Sequence, residues 1–302
     1  MASVVLPTRS WGSVASDLAG QLSADDELLV VCDAPSNPVA DRETPEGARV
    51  VVAGGPEGCS GKCNAVAAGM EAADCDRFVW TDDDFDHPEG WLDDLVRAGE
   101  RHGPVTEIPV FVGDGWWRLF EPTGVAFGST LVATGDIPWA GGVTFTRDEL
   151  ADGVDALVAD LRRSVSDDGI LADHLTDLTP LRDRTRRVEV DGSPRAVYHR
   201  LVRNLGISYY SDPAGTVQGV VAVSLLAAVA AVSPLVLAPL VTALSAAYYR
   251  WLGFDRSTWL LAYPSLLCCP ARFAVGLAAS EFEWAGRRYR WTGRYEVEVL
   301  DR

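Results

Sequence analysis

Phe78-Val79-Trp80-Thr81-Asp82-Asp83-Asp84-Phe85 is the stretch on which the reading of this chain turns. A short apolar run of β-forming residues passes directly into three adjacent carboxylates, with Pro88 and Trp91 close behind. Such a run is the signature of a buried strand. Neighbouring carboxylates repel one another unless a cation lies among them. Their hard oxygens suit Mg2+ or Mn2+, ions that commonly bridge to substrate phosphates. A solvated acidic turn is the competing reading, because the whole chain is acidic.

Outward from this point the first half alternates between two periodicities. Residues 3–6, 27–32, 49–53 and 77–80 are runs rich in β-forming apolar residues that end in turn or acidic residues, and they read as strands. Residues 14–22, 62–73 and 88–99 read as helices, the last with Pro88 at its first position. Strand–helix alternation predicts an α/β fold with a mainly parallel sheet. Ligands of such sheets collect at the carboxyl ends of the strands. Here those ends are Pro7-Thr8-Arg9, Asp33, Gly54-Gly55 and Asp82-Asp83-Asp84.

The chain has 302 residues, with 43 acidic against 26 basic side chains and a net charge of −17. That balance excludes a nucleic-acid-binding surface. Lys62 is the only lysine, and the carboxylate surplus is that of a protein from a salt-rich cytoplasm. The charge is divided unevenly: residues 1–180 carry 33 acids and 11 bases, residues 181–302 carry 10 acids and 15 bases. The basic part surrounds the apolar one. Residues 213–249 contain 37 consecutive uncharged positions, and 257–280 is interrupted only by Arg272. A bilayer span needs about 20 apolar residues. The 181–212 segment carries Arg182, Arg184, Arg186, Arg187, Arg195, Arg200 and Arg203, with Val197, Leu201, Val202 and Leu205 at helical spacing. It reads as a basic amphipathic element at a membrane surface.

The first residues lack a basic leader and an apolar run of signal-sequence length, so the soluble part is expected in the cytoplasm, on a cell membrane. The expected domains are 1–180 (catalytic), 181–212 (interfacial), 213–280 (membrane-embedded) and 281–302 (cytoplasmic tail). With both flanks basic, the number of crossings is even. The sequence break at Ser233-Pro234 and Pro239 predicts a hairpin of two spans, leaving 257–280 re-entrant or interfacial; the rival topology keeps one long kinked span and makes 257–280 the return crossing.

Taken in order, several motifs resemble one family. They are Val4-Val5-Leu6-Pro7-Thr8-Arg9, Val30-Val31-Cys32-Asp33, Gly61-Lys62-Cys63-Asn64, Thr81-Asp82-Asp83-Asp84, Trp139-Ala140-Gly141-Gly142 with Arg147, Asp167-Asp168-Gly169-Ile170-Leu171, and Trp284-Ala285-Gly286-Arg287-Arg288-Tyr289. The chain resembles family 2-type glycosyltransferases of the GT-A fold, and is most similar to the membrane-attached ceramide glucosyltransferase family. The resemblance implies a GT-A catalytic domain with C-terminal membrane helices, a nucleotide-sugar donor, a divalent metal and a lipid acceptor. It also implies roles. Pro7 and Asp33 border the nucleotide, and Asp33 accepts hydrogen bonds from its base. Lys62 and Asn64 line the sugar-nucleotide pocket, Asp82 and Asp84 hold the ribose and the metal on the diphosphate, and Asp168 is the catalytic base.

Each assignment has a structural counterpart. Asp167-Asp168 fits a helix N-cap and its first turn, and Asp167 is the adjacent candidate base. Lys62 fits a helix start. His174 also falls near this region. The family's Gln/Arg-x-x-Arg-Trp motif is reduced here to Val197-Tyr198-His199-Arg200-Leu201, so only Arg200 is carried over for diphosphate or acceptor binding. The expected function is inverting transfer of a hexose to a glycolipid or polyprenyl-phosphate acceptor. A polysaccharide synthase-like transferase and an inactive membrane-anchored scaffold are the alternatives; the first needs a longer membrane region, and the second sits poorly with three retained acidic sites.

Overall fold

A computed structural model describes residues 1–300. The chain forms two units: Met1–Ile108 with Val132–Arg186 and the stretch from Tyr295 onward, and Pro109–Leu131 with Arg187–Arg294.

The first unit is built on β1 (Ala2–Pro7), α1 (Ser13–Ala19), β2 (Glu27–Cys32), β3 (Ala48–Val52), α2 (Gly61–Ala72), β4 (Arg77–Thr81), α3 (Trp91–His102) and β5 (Val105–Val112). After an excursion through α4 (Trp117–Gly124), a π-helical turn at Val125–Ser129 and α5 (Thr130–Thr134), it continues with β6 (Gly142–Thr146), α6 (Gly153–Leu161), α7 (Asp167–His174) and β7 (Thr179–Glu189). The sheet order is β3-β2-β1-β4-β6-β5-β7. The four strands from β3 to β4 are parallel, whereas β6 runs antiparallel to both β4 and β5. This is the mainly parallel α/β sheet that the alternation predicts.

Burial explains the strand sequences. Val5, Leu29, Val31, Phe78, Trp80 and Phe145 face one apolar core shared with α2, α6 and α7. Each fully buried side chain of this size contributes about 2–3 kcal/mol. A Cβ on Gly69 of α2 would lie 2.5 Å from Val5 Cγ1, so this helix approaches β1 as closely as a glycine allows.

Two local expectations are corrected. The helix after the acidic cluster begins at Trp91, and Pro88 does not open it. Gly90 in the left-handed region (φ 76°) precedes the helix, and Pro88 instead accepts a turn hydrogen bond from Trp91 N at 2.9 Å. The arginines at 182–187 lie on β7, outside any amphipathic helix. Their period is two: Arg184 and Arg186 both donate to Glu107, at 2.7 Å each. Glu107 is completely buried and also accepts from Trp91 Nε1, so the two arginines satisfy a carboxylate that would otherwise be stranded in the core.

In the second unit, α8 (Pro194–Ser211), α9 (Pro213–Val232), α10 (Pro234–Trp251) and α11 (Ala262–Ala278) are followed by β8 (Glu281–Trp284) and its antiparallel partner β9 (Arg287–Gly293). A last strand, β10 (Glu296–Val299), belongs to the first unit. The long uncharged run breaks at Ser233, with Pro234 opening α10 as the residue types demand. Ala227, Ala230 and Leu266 pack α9 on α11. The opposite faces are bare: Leu225, Leu235 and Leu244 are 63%, 91% and 62% exposed. Pro213–Val232 (mean hydropathy 2.0) and Ser257–Ala278 (mean hydropathy 1.5) are long and apolar enough to cross a membrane. The second of these lies in the stretch expected to be re-entrant or interfacial.

Candidate active site

The parallel register brings three strand ends side by side, with Pro7 opposite Val31 and Val5 opposite Trp80. Pro7 ends β1. Beyond it, Thr8 N donates to Val31 O at 2.9 Å and Thr8 Oγ1 to Asp83 Oδ2 at 2.6 Å, tying the tip of β1 to the acidic cluster. Thr8 and Asp83 also line a pocket of about 130 Å3 with Ser10, Gly12 and Ser13. Asp33, just past β2, is buried and receives Arg9 Nε at 2.8 Å. The amides of Asp33 and Ala34 both donate to Asn37 Oδ1 at 3.0 Å, which fixes the turn that carries the carboxylate.

Lys62 is the centre of the cluster. Ser60 caps α2 by accepting from Cys63 N at 3.0 Å, which places Lys62 in the first turn. Its ammonium lies 2.8 Å from Asp82 Oδ1 and 2.9 Å from Asp167 Oδ2. Burial pulls against its charge, but Asp167, Asp82 and Asp168 outweigh that and push its pKa well above the ordinary value. The carboxyl of Asp82 is pushed up to about 7, first by burial and then by the anions of Asp84 and Asp167, against the opposing effect of Lys62. Asp82 therefore gives up its proton less readily than an ordinary carboxyl, and Lys62 offsets only part of that rise.

Asp167 and Asp168 occupy the first turn of α7, where helix-end amides favour negative charge. Ser166 caps that helix by accepting from Gly169 N at 3.0 Å. Asp168 Oδ1 accepts from Ala140 N at 2.6 Å, which fastens the pair to the Trp139-Ala140-Gly141-Gly142 loop. In that loop a Cβ on Gly141 would lie 2.4 Å from the Trp139 ring and 2.7 Å from Asp82 Oδ2. Only glycine leaves room for the carboxylate. Thr81 Oγ1 donates to Gly141 O at 3.1 Å and shares a 2.6 Å hydrogen bond with His87 Nε2. His87 is packed between Phe85 and Trp91, with centroids 4.1 and 4.5 Å away. Burial, aided by the positive charge of Arg186, lowers its pKa to about 4.

Among the described residues no three His, Cys, Asp or Glu side chains are arranged to hold a metal ion. Asp82 and Asp84 supply two carboxylates whose mutual repulsion is already evident at Asp82. That donor set fits a hard divalent cation that takes the rest of its shell from diphosphate and water, as Mg2+ commonly does.

The structure thus brings Lys62 together with Asp82 and Asp167, and places Pro7 and Asp33 at neighbouring strand ends. Asn64 is spent locally: Nδ2 donates to Gly54 O and Oδ1 accepts from Arg162 Nη1, both at 2.9 Å. Arg200 belongs to the second unit, where its guanidinium lies 5.3 Å from the Phe111 ring and 5.6 Å from that of Trp117. The sequence carries Arg9, Ala140 and Gly141 within its motifs but assigns none of them a role. Arg9 stands beside Pro7-Thr8 at the end of β1, and that position was its signal.

No curated protein matches the sequence. Among solved structures, the chain is similar to glucosyl-3-phosphoglycerate synthase from Mycobacterium tuberculosis in complex with Mn2+ and UDP-glucose, at 18% identity and a TM-score of 0.40, covering 63% of this chain and 70% of that one. It is also similar to S. aureus TarS in complex with UDP-GlcNAc, at 12% identity and a TM-score of 0.41, covering 100% and 99% of the two chains. Residues 13–130 match the family model described as Glycosyl transferase family 2, a segment from the first residue of α1 to the first of α5 that contains Asp33, Lys62, Asp82 and Asp84.

Proposed function

We propose that this chain is a membrane-attached, inverting glycosyltransferase that moves a hexose from a nucleotide-diphosphate sugar to a lipid acceptor. The observation that carries the reading is the convergence of Asp82, Lys62 and Asp167 from β4, α2 and α7, in a chain whose residues 13–130 match a glycosyl transferase family model. Asp33 would receive the nucleotide base, and Lys62 would turn towards the diphosphate. Asp82 and Asp84 would hold a divalent cation, which when bound neutralises charge on the leaving diphosphate.

Asp168 would take the proton of the acceptor hydroxyl as that oxygen bonds to the anomeric carbon. The bond from the same carbon to the diphosphate breaks on the opposite face, and the nucleoside diphosphate leaves with the electron pair. A carboxylate fixed by the Ala140 amide is suited to this step, because its orientation does not depend on the substrate. The lipid acceptor follows from the ceramide glucosyltransferase resemblance, and from bare apolar faces on α9 and α10 that would hold the enzyme at the bilayer where such an acceptor resides.

The test incubates purified full-length protein in detergent with labelled nucleotide sugars and lipid extract. Label in the organic phase with matching release of nucleoside diphosphate is the expected result. Absence of both with every donor rejects the reading.

A further inference from the structure

Arg272 is the only charged residue between positions 257 and 280, and it lies on a helix apolar enough to cross a bilayer. A guanidinium cannot shed its proton, so such a placement calls for a counter-charge or strong acceptors. The second unit offers little of either. Nη1 donates to Thr123 Oγ1, a hydroxyl already engaged with Ser265 Oγ at 2.9 Å. The guanidinium lies over the Phe120 ring, 4.6 Å from its centroid, and its remaining polar neighbours are the thiols of Cys269 and Cys268, which are weak acceptors. Nε is buried without a hydrogen-bond partner, and among the described residues no carboxylate pairs with this arginine.

Arg256, in the same unit, shows what a satisfied arginine looks like here. Its Nη2 lies 3.0 Å from Glu121 Oε2, and its Nε donates to Glu121 Oε1 at 3.1 Å. One partly buried arginine has its own anion; among the described residues the other has none.

We infer that Arg272, positioned by Thr123 and Phe120, binds the phosphate of a membrane lipid. Phosphate oxygens accept paired N–H bonds from the edge of a guanidinium, a geometry that a lysine ammonium does not reproduce. The Phe120 face holds the plane of the group. Such a phosphate has two sources, a polyprenyl phosphate or the headgroup of a bulk phospholipid. The inference rests on the membrane attachment proposed above and not on sugar transfer.

The test measures lipid binding to the full chain in a phosphate-free maltoside detergent, with no nucleotide sugar present, so failure of transfer leaves it untouched. Polyprenyl phosphate should bind at least about tenfold more tightly than the corresponding polyprenol, the worth of a charge-assisted hydrogen-bonded pair. Arg272→Gln should erase that preference, Arg272→Lys should keep part of it, and Thr123→Val should weaken it. If Arg272→Gln does not fold, the other two variants carry the comparison. Competition by phosphatidylglycerol at equal mole fraction supports the inference with a bulk headgroup as ligand; no competition supports it with the polyprenyl phosphate. Equal affinity for phosphate and alcohol in the wild type overturns it, as does an unchanged preference in a folded Arg272→Gln protein.

Discussion

Lys62 Nζ stands 2.8 Å from Asp82 Oδ1, and this contact joins the start of α2 to the end of β4 across the mouth of the sheet. The same ammonium reaches Asp167, so one side chain neutralises carboxylates from two other elements. Removing it leaves Asp82 and Asp167 facing each other without a counter-ion. Lys62→Met should therefore destabilise the protein by about 3 kcal/mol, the usual consequence of breaking a buried pair. Thermal unfolding in detergent checks this. Lys62→Arg should recover part of the loss, and a Lys62→Met protein as stable as wild type would mean that the cluster is solvated and weak.

Asp84 tests the proposed divalent-cation site. Asp84 is exposed, so Asp84→Ala should leave the fold intact while abolishing Mn2+-dependent donor binding. Titration calorimetry of nucleotide-sugar donors with and without Mn2+ separates the two states. Donor binding that persists unchanged in excess chelator argues against a metal at Asp82 and Asp84.

Asp168→Asn keeps an oxygen to accept the Ala140 amide but removes basicity. Turnover should fall by about 100- to 10,000-fold, the range for losing a general base, with donor affinity nearly unchanged. A variant that keeps most of its rate moves the role to Asp167.

Much of this arrangement was legible in the sequence, for identifiable reasons. Strands β1, β2 and β4 announce themselves by apolar, β-forming runs that end abruptly in Pro7-Thr8-Arg9, Asp33 and Asp82-Asp83-Asp84, and parallel topology then sets those ends together. What the sequence conceals is pairing at a distance. Nothing local to Lys62 shows that its partners lie 20 and 105 positions away, on β4 and α7. The arginines of β7 were hidden in the same way: their common partner, Glu107, is a single acid in an otherwise ordinary strand, and without it Arg184 and Arg186 look like a solvated basic run. The segment Pro109–Leu131 groups with the helical second unit through contacts such as Thr123 with Ser265, which only three dimensions reveal.

Gly141 is the sharpest steric test of the site. Alanine there would put a methyl group against the Trp139 ring and Asp82 Oδ2, with backbone-anchored neighbours on one side and a fixed ion pair on the other. Overpacking of this kind costs about 1–3 kcal/mol. Gly141→Ala should lower the melting temperature and weaken donor binding together, because relief requires Asp82 to move off Lys62. Loss of stability with donor affinity intact would show that Trp139 alone gives way.

His87 should make stability depend on pH. Its folded pKa of about 4 lies below the ordinary value of 6.5, so between those limits the unfolded chain binds a proton that the native one refuses. The sign follows: the contribution is complete above pH 6.5 and is lost as pH falls towards 4. Its full size is about 3 kcal/mol. The structural reason is Nδ1, which is buried without a partner and would have to carry the added proton. His87→Phe forfeits the Thr81 hydrogen bond but should flatten this dependence, measured as melting temperature against pH in detergent. An equally steep wild-type and variant profile would assign the acid sensitivity to other groups.

The bare faces of α9 and α10 decide the membrane question. Leu225 and Leu244 are 63% and 62% exposed and lie near the middle of their helices. If lipid covers them, Leu225→Asp and Leu244→Asp each introduce a carboxylate at a cost of about 2.5–3.5 kcal/mol at the centre of a span, less nearer its ends. The double variant should then leave the membrane fraction, or be degraded, whereas water-facing positions would accept both changes and gain solubility. Fractionation after expression, with Ser233→Asp at the α9–α10 turn as a control, reads the difference. Retention of the control together with loss of the double variant is the expected pattern. A fully membrane-bound double variant would mean that these leucines face neither lipid nor the interior of a span.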